Sequence, residues 1–391
     1  MRAVVYRGVN DLRLETVPVP RLGARELLVK VAVCGVCPTD IKKIQHGAVP
    51  PPRIFGHETA GTIVQIGRQK AEGRRRKSHS ALRTPHSEFR LGDRVALHHH
   101  VPCGDCHFCR HASFAQCAAY KRTGITAGFE PAGGGYAEYV RVMPFVLPGV
   151  VKIPDKNSFE EGAMLEPVNT VLKAVRRLNL LRGDVVLVAG QGPIGLMFTR
   201  LLQLAGARVL ATDLLEARLQ LAKKFGAKWT RLVGSARCAD RTPQRGVPTA
   251  LDAAVIAVPS DAAVHQALQL VRNGGQVLLF AHTRRSAPVE RRATSVESEN
   301  LRAKRGREKA LDPRPSTLDF SSICLDEKDL IGSYSSDFTL QREVARLVFS
   351  RRLDVRRLIT HYFPLAETAR AVALAAQPTP DSLKVMVRAD T

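Results

Sequence analysis

The chain has 391 residues, of which 45% are hydrophobic and 24% are charged, and this composition excludes a mainly disordered protein. At roughly 150 residues per domain, the length predicts two or three domains. No uninterrupted apolar run of about 20 residues occurs, which argues against a membrane-spanning helix. The segment Met1–Tyr6 lacks the apolar core of a signal peptide. These features predict a cytoplasmic protein without a membrane partner.

The net charge of +23 is large, and such an excess is typical of proteins that bind nucleic acid. Two segments, 68–90 and 284–317, contribute +6 and +5 of it, respectively. Phe89 is their only aromatic residue, so they lack a platform on which nucleic-acid bases stack. We therefore interpret both segments as solvated loops, and nucleic acid is not a predicted partner. A phosphate-rich or membrane-surface contact is the alternative.

The first 160 residues contain short strand patterns. The β-branched runs Leu27–Val33, Gly61–Ile66 and Asp93–Leu97 are bounded by glycine or proline, as is typical of strands. The glycines at 133–135 predict a turn into a further strand that extends to Val140. This part of the chain is therefore predicted to be β-rich.

From Asp184 onward, predicted strands alternate with predicted helices. The strands are 185–189, 208–212, 254–258, 276–280 and 330–334, and the helices between them are 194–205, 215–225 and 262–271. A helical period over 159–178 precedes this region, and helices at 340–349 and 365–376 and a strand at 383–387 follow it. Near-continuous apolar strands that are separated by helices predict a parallel sheet covered on both faces.

A G-x-G-x-x-G pattern joins the first of these strands to the helix that follows it. Gly190 permits a tight turn, Gly192 lets the backbone approach a pyrophosphate, and Gly195 lets the helix pack on the strand. Pro193 and Ile194 begin the helix, whose N-terminal amides would face the anion. The segment predicts a dinucleotide site.

Asp213 ends the next predicted strand, 18 residues after Gly195. A carboxylate at about this spacing binds the ribose hydroxyls and repels a 2′-phosphate, which predicts NAD rather than NADP. Arg218 is a candidate neighbour of the adenosine ribose, although a solvated charge on the helix explains it equally well.

Four of the eight cysteines lie within fifteen residues, at Cys103, Cys106, Cys109 and Cys117. Four thiolates at this spacing can enclose a tetrahedral zinc ion without an open position, so the predicted site is structural. An iron–sulfur cluster is the alternative, but Ala118 stands where that motif often has proline. The adjacent run His98–His100 invites a metal interpretation, and we favour a rim or interface role because neighbouring strand residues point to opposite faces.

A second candidate metal site is dispersed over Cys37, His57, Glu58 and Glu166. A mixed set of cysteine, histidine and glutamate is the composition of a catalytic zinc site. The residues alone leave this assignment open. Cys34 and Cys37 fit a redox pair equally well, and a lone histidine is usually an ordinary polar side chain.

Taken together, these motifs resemble those of the zinc-dependent medium-chain alcohol dehydrogenases. The matching stretches, in family order, are 35–40, 56–58, 92–95, the four-cysteine segment, 133–139 and 190–195. The resemblance implies an α/β protein with a GroES-like β-rich catalytic domain over 1–160 and 337–391, which includes a structural zinc lobe at 98–120 and the basic insert 68–90. It implies a Rossmann NAD-binding domain over 161–336 with the basic insert 284–317.

By that resemblance Cys37 and His57 are catalytic zinc ligands, and Glu58 is a ligand or lies next to one. The stretch Leu165–Pro167 is similar to a Glu-Pro motif of the sorbitol dehydrogenase branch, in which the glutamate, here Glu166, lies at the zinc or holds its water. The resemblance therefore implies two zinc ions per subunit, one catalytic and one structural.

The resemblance also implies that Asp40 orients His57 and that Thr39 takes the proton from the substrate hydroxyl. One departure is clear, because Lys42 stands where family members often have a histidine that relays the proton to solvent. His46 is offset from that place, so the proton exit route is not predicted.

These features predict a zinc- and NAD-dependent enzyme that oxidises a secondary alcohol, with a polyol favoured by the Glu-Pro motif. A threonine-type or simple alcohol dehydrogenase with the same machinery is the first alternative. A non-catalytic protein that uses its basic loops to bind an acidic partner or nucleic acid is the second. The family's habit implies a homodimer or a homotetramer.

Overall fold

The computed structural model describes residues 1–67, 88–98, 100–122, 133–233, 250–281 and 320–389. Most of the predicted basic segment 68–90, all of 284–317, and His99 lie outside these residues. Among the helices of the described residues, none combines the length and the apolar character that crossing a bilayer requires.

The N-terminal part of the chain forms two sheets with help from its C-terminal end. The small sheet contains β1 (Arg2–Gly8), β2 (Asp11–Thr16) and β4 (Arg53–Ile54) in the order β2-β1-β4. The larger one contains β3 (Leu27–Gly35), β5 (Glu58–Ile66), β6 (Arg94–Leu97), β7 (Tyr139–Val142), β8 (Val151–Lys152), β15 (Ile359–Pro364) and β16 (Lys384–Arg388). Its order is β15-β16-β3-β5-β6-β8, and β7 pairs with β3. Residues near the two ends of the chain therefore share one sheet.

Short helices surround these sheets. They are α1 (Pro38–His46), α2 (His107–Arg110), α3 (Ala118–Arg122), α4 (Phe159–Ala163) and α5 (Leu165–Val175). The helical period predicted over 159–178 is confirmed as two helices, because α4 ends and α5 begins on either side of Met164. Pro167 in the first turn of α5 explains the break, since proline cannot donate the backbone hydrogen bond that a continuous helix requires.

The second unit is a parallel sheet, as predicted. It contains β9 (Val185–Ala189), β10 (Arg208–Asp213), β11 (Trp229–Leu232), β12 (Leu251–Ile256), β13 (Val271–Leu279) and β14 (Asp329–Gly332), in the order β11-β10-β9-β12-β13-β14. All the pairs are parallel. The remaining helices are α6 (Pro193–Leu204), α7 (Glu216–Lys224), α8 (Asp261–Leu270), α9 (Phe320–Leu325), α10 (Gln341–Phe349) and α11 (Thr368–Ala376).

Both faces of this sheet are covered, which explains why its strands are almost wholly apolar. Along β9, Val186 and Val188 lie in the core that includes Leu196 of α6. Val185 and Leu187 lie in a separate core on the side of α8. The domain boundaries at 160 and 336 stay a prediction. The strand β15 was not predicted, although its residues Ile-Thr-His-Tyr-Phe are of the types that favour strands.

Candidate active site and metal centres

Cys37, His57 and Glu58 meet at one end of the larger sheet. A ligand atom of each lies within 4.8 Å of the others. The strand register brings them together, because Gly35 at the end of β3 pairs with Glu58 at the start of β5. Cys37 follows Gly35 by two residues and is the N-cap of α1, where its sulfur accepts a hydrogen bond from the amide of Thr39 at 3.5 Å. Cys37 offers a thiolate sulfur, His57 a ring nitrogen and Glu58 a carboxylate oxygen. Zinc binds all three kinds of ligand.

Asp40 fixes the orientation of His57. Its Oδ2 lies 3.0 Å from Nδ1 of His57 and also accepts a hydrogen bond of 3.2 Å from the amide of Gly56. Because Nδ1 is held in this way, Nε2 is the nitrogen available to a metal ion. Burial opposes the charged imidazolium, but the negative charges of Asp40 and Cys37 outweigh it and raise the pKa of His57 well above its usual range.

Glu58 forms a buried ion pair with Lys384 of β16. The Lys384 ammonium also donates to the carbonyl of Val36 at 2.9 Å. Burial opposes its charge, but the Glu58 carboxylate outweighs this effect and raises the pKa of Lys384. A Cβ on Gly35 would lie 1.9 Å from the Glu58 carboxylate, so only glycine permits this approach. Lys384 was not predicted, although a lone lysine within an apolar strand is a signal for a buried partner.

Glu166 lies near this group but outside it. It occupies the first turn of α5, is 5% exposed, and places Oε1 3.8 Å from Nδ1 of His100. Burial raises the pKa of its carboxyl to about 7. A ligand role for Glu166 therefore stays a prediction. Lys42 is exposed on α1, and the proton exit route stays without a prediction.

The two described histidines of the run at 98–100 are not on an outer rim. His98 is fully buried, and burial lowers its pKa to about 4. The ring of His100 stacks on that of Tyr120, with centroids 4.4 Å apart and planes 8° apart. Burial lowers the pKa of His100 well below its usual range. His99 lies outside the described residues.

Four thiols converge in the segment between β6 and β7, as the spacing predicts. The sulfur–sulfur distances are 3.9 Å for Cys103–Cys109, 3.5 Å for Cys106–Cys109 and 3.7 Å for Cys103–Cys117. A tetrahedral zinc ion with Zn–S bonds of about 2.3 Å requires sulfurs roughly 3.8 Å apart, so the arrangement fits zinc. Two backbone amides, those of Cys103 and Cys106, donate to sulfurs at 3.5 and 3.4 Å. We call residues 100–122 the four-cysteine lobe.

The predicted dinucleotide turn lies between β9 and α6. Gly190 has a φ of +90°, and a Cβ on Gly195 would lie 1.7 Å from the Gly190 carbonyl oxygen, so both positions require glycine. Nothing lies within 4 Å of where a Cβ on Gly192 would be, so the N-terminus of α6 opens onto free space. Pro193 and Ile194 begin that helix. The turn therefore fits a bound pyrophosphate.

Asp213 at the end of β10 reaches this turn. Its Oδ2 accepts a 2.6 Å hydrogen bond from the amide of Gln191, and its Oδ1 accepts one of 2.9 Å from the amide of Leu215. Arg218 places Nη1 4.0 Å from the same carboxylate and is 18% exposed, so it is not the solvated helix charge that the sequence left open. The two side chains therefore lie together beside the dinucleotide turn, and their contact with an adenosine ribose stays a prediction.

Comparison with known proteins agrees with this geometry. Residues 23–155 match the family model described as an alcohol dehydrogenase GroES-like domain, and residues 193–302 match that of a zinc-binding dehydrogenase. The chain is 28% identical to a sorbitol dehydrogenase of Bacillus subtilis strain 168, over 99% of this chain and 97% of that one. It is 26% identical to a sorbitol dehydrogenase of Bombyx mori, over 95% and 94% of the two chains.

Among solved structures, the chain is similar to the alcohol dehydrogenase TADH from Thermus sp. ATN1. The TM-score is 0.73 and the sequence identity is 26%, and the match covers 100% of each chain. The similarity thus extends over all three sheets.

Proposed function

Because the chain belongs to the zinc-dependent medium-chain alcohol dehydrogenase family, we propose that it oxidises a secondary alcohol, specifically a polyol, and transfers the hydride to NAD. The observation that carries this proposal is the convergence of Cys37, His57 and Glu58, with His57 held from behind by Asp40. A mixed donor set of this kind, with one position left for a substrate oxygen, is the arrangement of a catalytic rather than a structural zinc site.

A zinc ion at this site supplies Lewis-acid polarisation of the substrate hydroxyl. The residues around it have distinct tasks. Cys37 and His57 hold the ion, and Asp40 keeps the His57 ring in one orientation. Thr39 is half-buried beside Cys37, and its hydroxyl is the candidate to take the substrate hydroxyl proton while it passes its own proton to solvent water. The fold then holds the substrate carbon against the nicotinamide and excludes water.

Glu58 and Glu166 serve the same site from two sides. The ion pair with Lys384 offsets the charge of Glu58, which favours its role beside the metal or as a ligand of it. Glu166 is buried, and its carboxyl has a raised pKa, so it is suited to hold a water or a substrate hydroxyl near the metal. Both roles are part of the proposal.

The choice of NAD rests on the region of Asp213. A carboxylate at the end of the second strand binds two ribose hydroxyls and would repel a 2′-phosphate. Gly190, Gly192 and Gly195 support a pyrophosphate on the N-terminus of α6. Arg218, whose Nη1 lies 4.0 Å from Oδ2 of Asp213, completes the proposed pocket for the adenosine ribose.

The choice of a polyol rests on the two sorbitol dehydrogenases with which the chain aligns along nearly its whole length, and on the Glu166–Pro167 pair. A simple alcohol substrate is the second candidate, and the similarity to an alcohol dehydrogenase of known structure favours it. In either case we propose that the four-cysteine lobe holds a second, structural zinc ion, which the convergence of its four sulfurs supports. We further propose a cytoplasmic homodimer or homotetramer.

The test is turnover by purified protein loaded with zinc. Sorbitol, xylitol, 2-butanol and L-threonine are each supplied with NAD or NADP, and nicotinamide reduction is followed with and without prior chelation. The proposal expects the highest kcat/KM with a polyol and NAD, and loss of activity on chelation. Activity limited to 2-butanol or L-threonine would contradict the polyol assignment, and a preference for NADP would contradict the role of Asp213.

A further inference from the structure

A cluster of polar side chains lies between the four-cysteine lobe and the segment after β14, and the chemistry described so far gives it no task. We call it the bridging cluster, and it consists of His98, His100, Tyr120, Ser335 and Ser336. Its members come from three stretches that lie far apart in the sequence. The cluster therefore connects the unit that holds the metal ligands to the unit that contains the dinucleotide turn.

Tyr120 is the centre of the bridging cluster. Its hydroxyl lies 2.5 Å from the hydroxyl of Ser335 and 3.2 Å from that of Ser336. The amide of Ser336 also donates to the Tyr120 oxygen at 3.2 Å. The side chain is 3% exposed, and its ring covers one face of His100. These contacts fix the Tyr120 ring on both its edge and its face, and the His100 ring is fixed with it.

His100 is the member of the cluster that reaches toward the candidate active site. Its ring centroid lies 6.3 Å from that of His57, and its Nδ1 lies 3.8 Å from Glu166. The serine hydroxyls contact the same Nδ1 at 3.5 and 3.4 Å. The His100 side chain keeps 20% of its surface exposed, whereas His98 behind it is fully buried.

We propose that His100 is a substrate-specificity residue that hydrogen-bonds a hydroxyl group of the substrate other than the one that is oxidised, and that Tyr120 is its positioning residue. The inference rests on the proposed function, because it assumes that the alcohol binds at Cys37 and His57. It deepens that function by assigning a residue that separates a polyol from an alcohol with a single hydroxyl group.

The distances support this role for His100. His100 is not among the side chains whose ligand atoms meet at Cys37, His57 and Glu58, and its ring, about 6 Å from that of His57, lies within reach of a hydroxyl on a neighbouring carbon of a bound polyol. An imidazole carries both a donor and an acceptor nitrogen when it is neutral, as a hydroxyl partner requires. Such a ring selects strongly only if it cannot rotate away, and the Tyr120 stack provides that restraint.

The four-cysteine lobe thereby becomes part of the substrate site. Tyr120 lies three residues after Cys117, and it packs in the small core of the lobe with Cys109, Ala115 and Cys117. The interactions that order these cysteines therefore also order the Tyr120 ring. We therefore expect disturbance of the lobe to weaken recognition of a polyol before it weakens the chemistry at Cys37.

The test compares sorbitol with 2-butanol in the zinc-loaded enzyme with NAD. His100→Phe retains a ring that can stack on Tyr120 and removes both nitrogens. We expect kcat/KM for sorbitol to fall about tenfold, mainly through KM, since a lost hydrogen bond of about 1.4 kcal/mol corresponds to that factor. The value for 2-butanol should stay within about twofold or rise. Tyr120→Phe keeps the stack, and it should shift KM for sorbitol in the same direction by a smaller factor.

His111→Phe, which replaces an exposed histidine of the same lobe, is the matched control and should change neither value. The zinc content and the NAD affinity of each variant report on its folding. An equal loss for both alcohols, or no loss for sorbitol, would overturn the inference. Failure of the proposed function has a different signature, because the unaltered enzyme would then oxidise neither alcohol or would oxidise only 2-butanol.

Discussion

The two metal centres of this protein are built in opposite ways. The group of Cys37, His57 and Glu58 is assembled from the ends of two paired strands, and buried side chains hold it from behind. The four-cysteine lobe is assembled within a single short segment. Its core is a small cluster in which two of the cysteines are themselves members.

This difference concerns what holds the ligands in place. Asp40 is fully buried, Lys384 is 6% exposed, and both contact ligands of the first group. The sheet therefore orders that group whether or not a metal ion is bound. Among the cysteines of the lobe, Cys103 is exposed and Cys106 is half-buried, so a bound metal ion would supply most of the order there. We expect the first centre to determine activity and the second to determine local folding.

Replacement of Cys37 by serine should have the largest effect on turnover. A hydroxyl binds zinc poorly in place of a thiolate, so we expect kcat to fall by roughly a thousandfold or more. The fold and the dinucleotide turn should be unaffected, because Cys37 is only partly buried and serine also caps the N-terminus of a helix. Turnover, NAD affinity and melting temperature measured on one preparation test this prediction.

Cys324→Ser is the control for that experiment, because Cys324 is an exposed cysteine on α9, away from both metal groups. It should retain full turnover. Retention of full activity by the Cys37 variant would remove it from the set of metal ligands and would require another donor for the catalytic ion.

Replacement of Cys109 by serine should have the reverse profile. Cys109 contacts the sulfurs of both Cys103 and Cys106, so its loss opens the structural site. We expect the bound zinc to fall from two to one per subunit, and the lobe to lose several kcal/mol of local stability. Hydrogen exchange across 100–122 and zinc analysis measure both effects. If exchange in the lobe were unchanged without its zinc, the small apolar core would be sufficient and the comparison would fail.

Asp40→Asn tests the support behind the catalytic group. The amide retains the shape of the side chain and removes its charge, so the His57 ring loses its charged partner. Loss of such a support typically costs about 10- to 100-fold in metal affinity or activity. Zinc affinity measured by competition with a chelator, together with kcat, checks this value. An unchanged zinc affinity would mean that the sheet alone orients His57.

The sequence predicted the four-cysteine lobe better than the catalytic group. The reason is how far apart the ligands of each centre lie along the chain. The four-cysteine lobe is local, so the spacing of Cys103, Cys106, Cys109 and Cys117 was sufficient to predict that their sulfurs converge. The strand–turn–helix around Gly190 is local too, and it also has the predicted form. In both cases the spacing along the chain fixes the distances in space.

The catalytic group depends on strand register, which no local pattern reveals. Cys37 and His57 could be linked only by resemblance to a family, and the resemblance did not indicate that Glu58 pairs with Lys384, more than 300 residues away. The stacking of His100 on Tyr120 was equally invisible, because the alternation of strand residues indicated only a rim or interface role for the histidines. Burial of a charged or aromatic side chain by a distant segment is the information that the sequence did not provide.

The smallest expected effect is on the stability of the larger sheet, away from either metal site. Arg141 of β7 donates two hydrogen bonds of 2.6 Å to the carboxylate of Glu26, which directly precedes β3. Burial opposes the charge of Glu26, but Arg141 and the amide of Gly23 outweigh it and lower the pKa of this carboxyl. Glu26→Gln should therefore reduce the free energy of unfolding by about 2 kcal/mol at neutral pH.

The sign of the pH dependence follows from the direction of that pKa shift. A carboxyl with a lowered pKa in the folded state contributes stability above its unfolded pKa of about 4.3 and loses it as the pH falls through the folded value. The difference in unfolding free energy between the unaltered protein and Glu26→Gln should therefore be constant above about pH 5 and should shrink at lower pH. Denaturant titrations of both proteins across this range measure it, and protonation of the metal ligands affects both alike. A difference that persisted unchanged in acid would show that the amide disturbs the packing of β3 against β7 and that the charge of Glu26 contributes little.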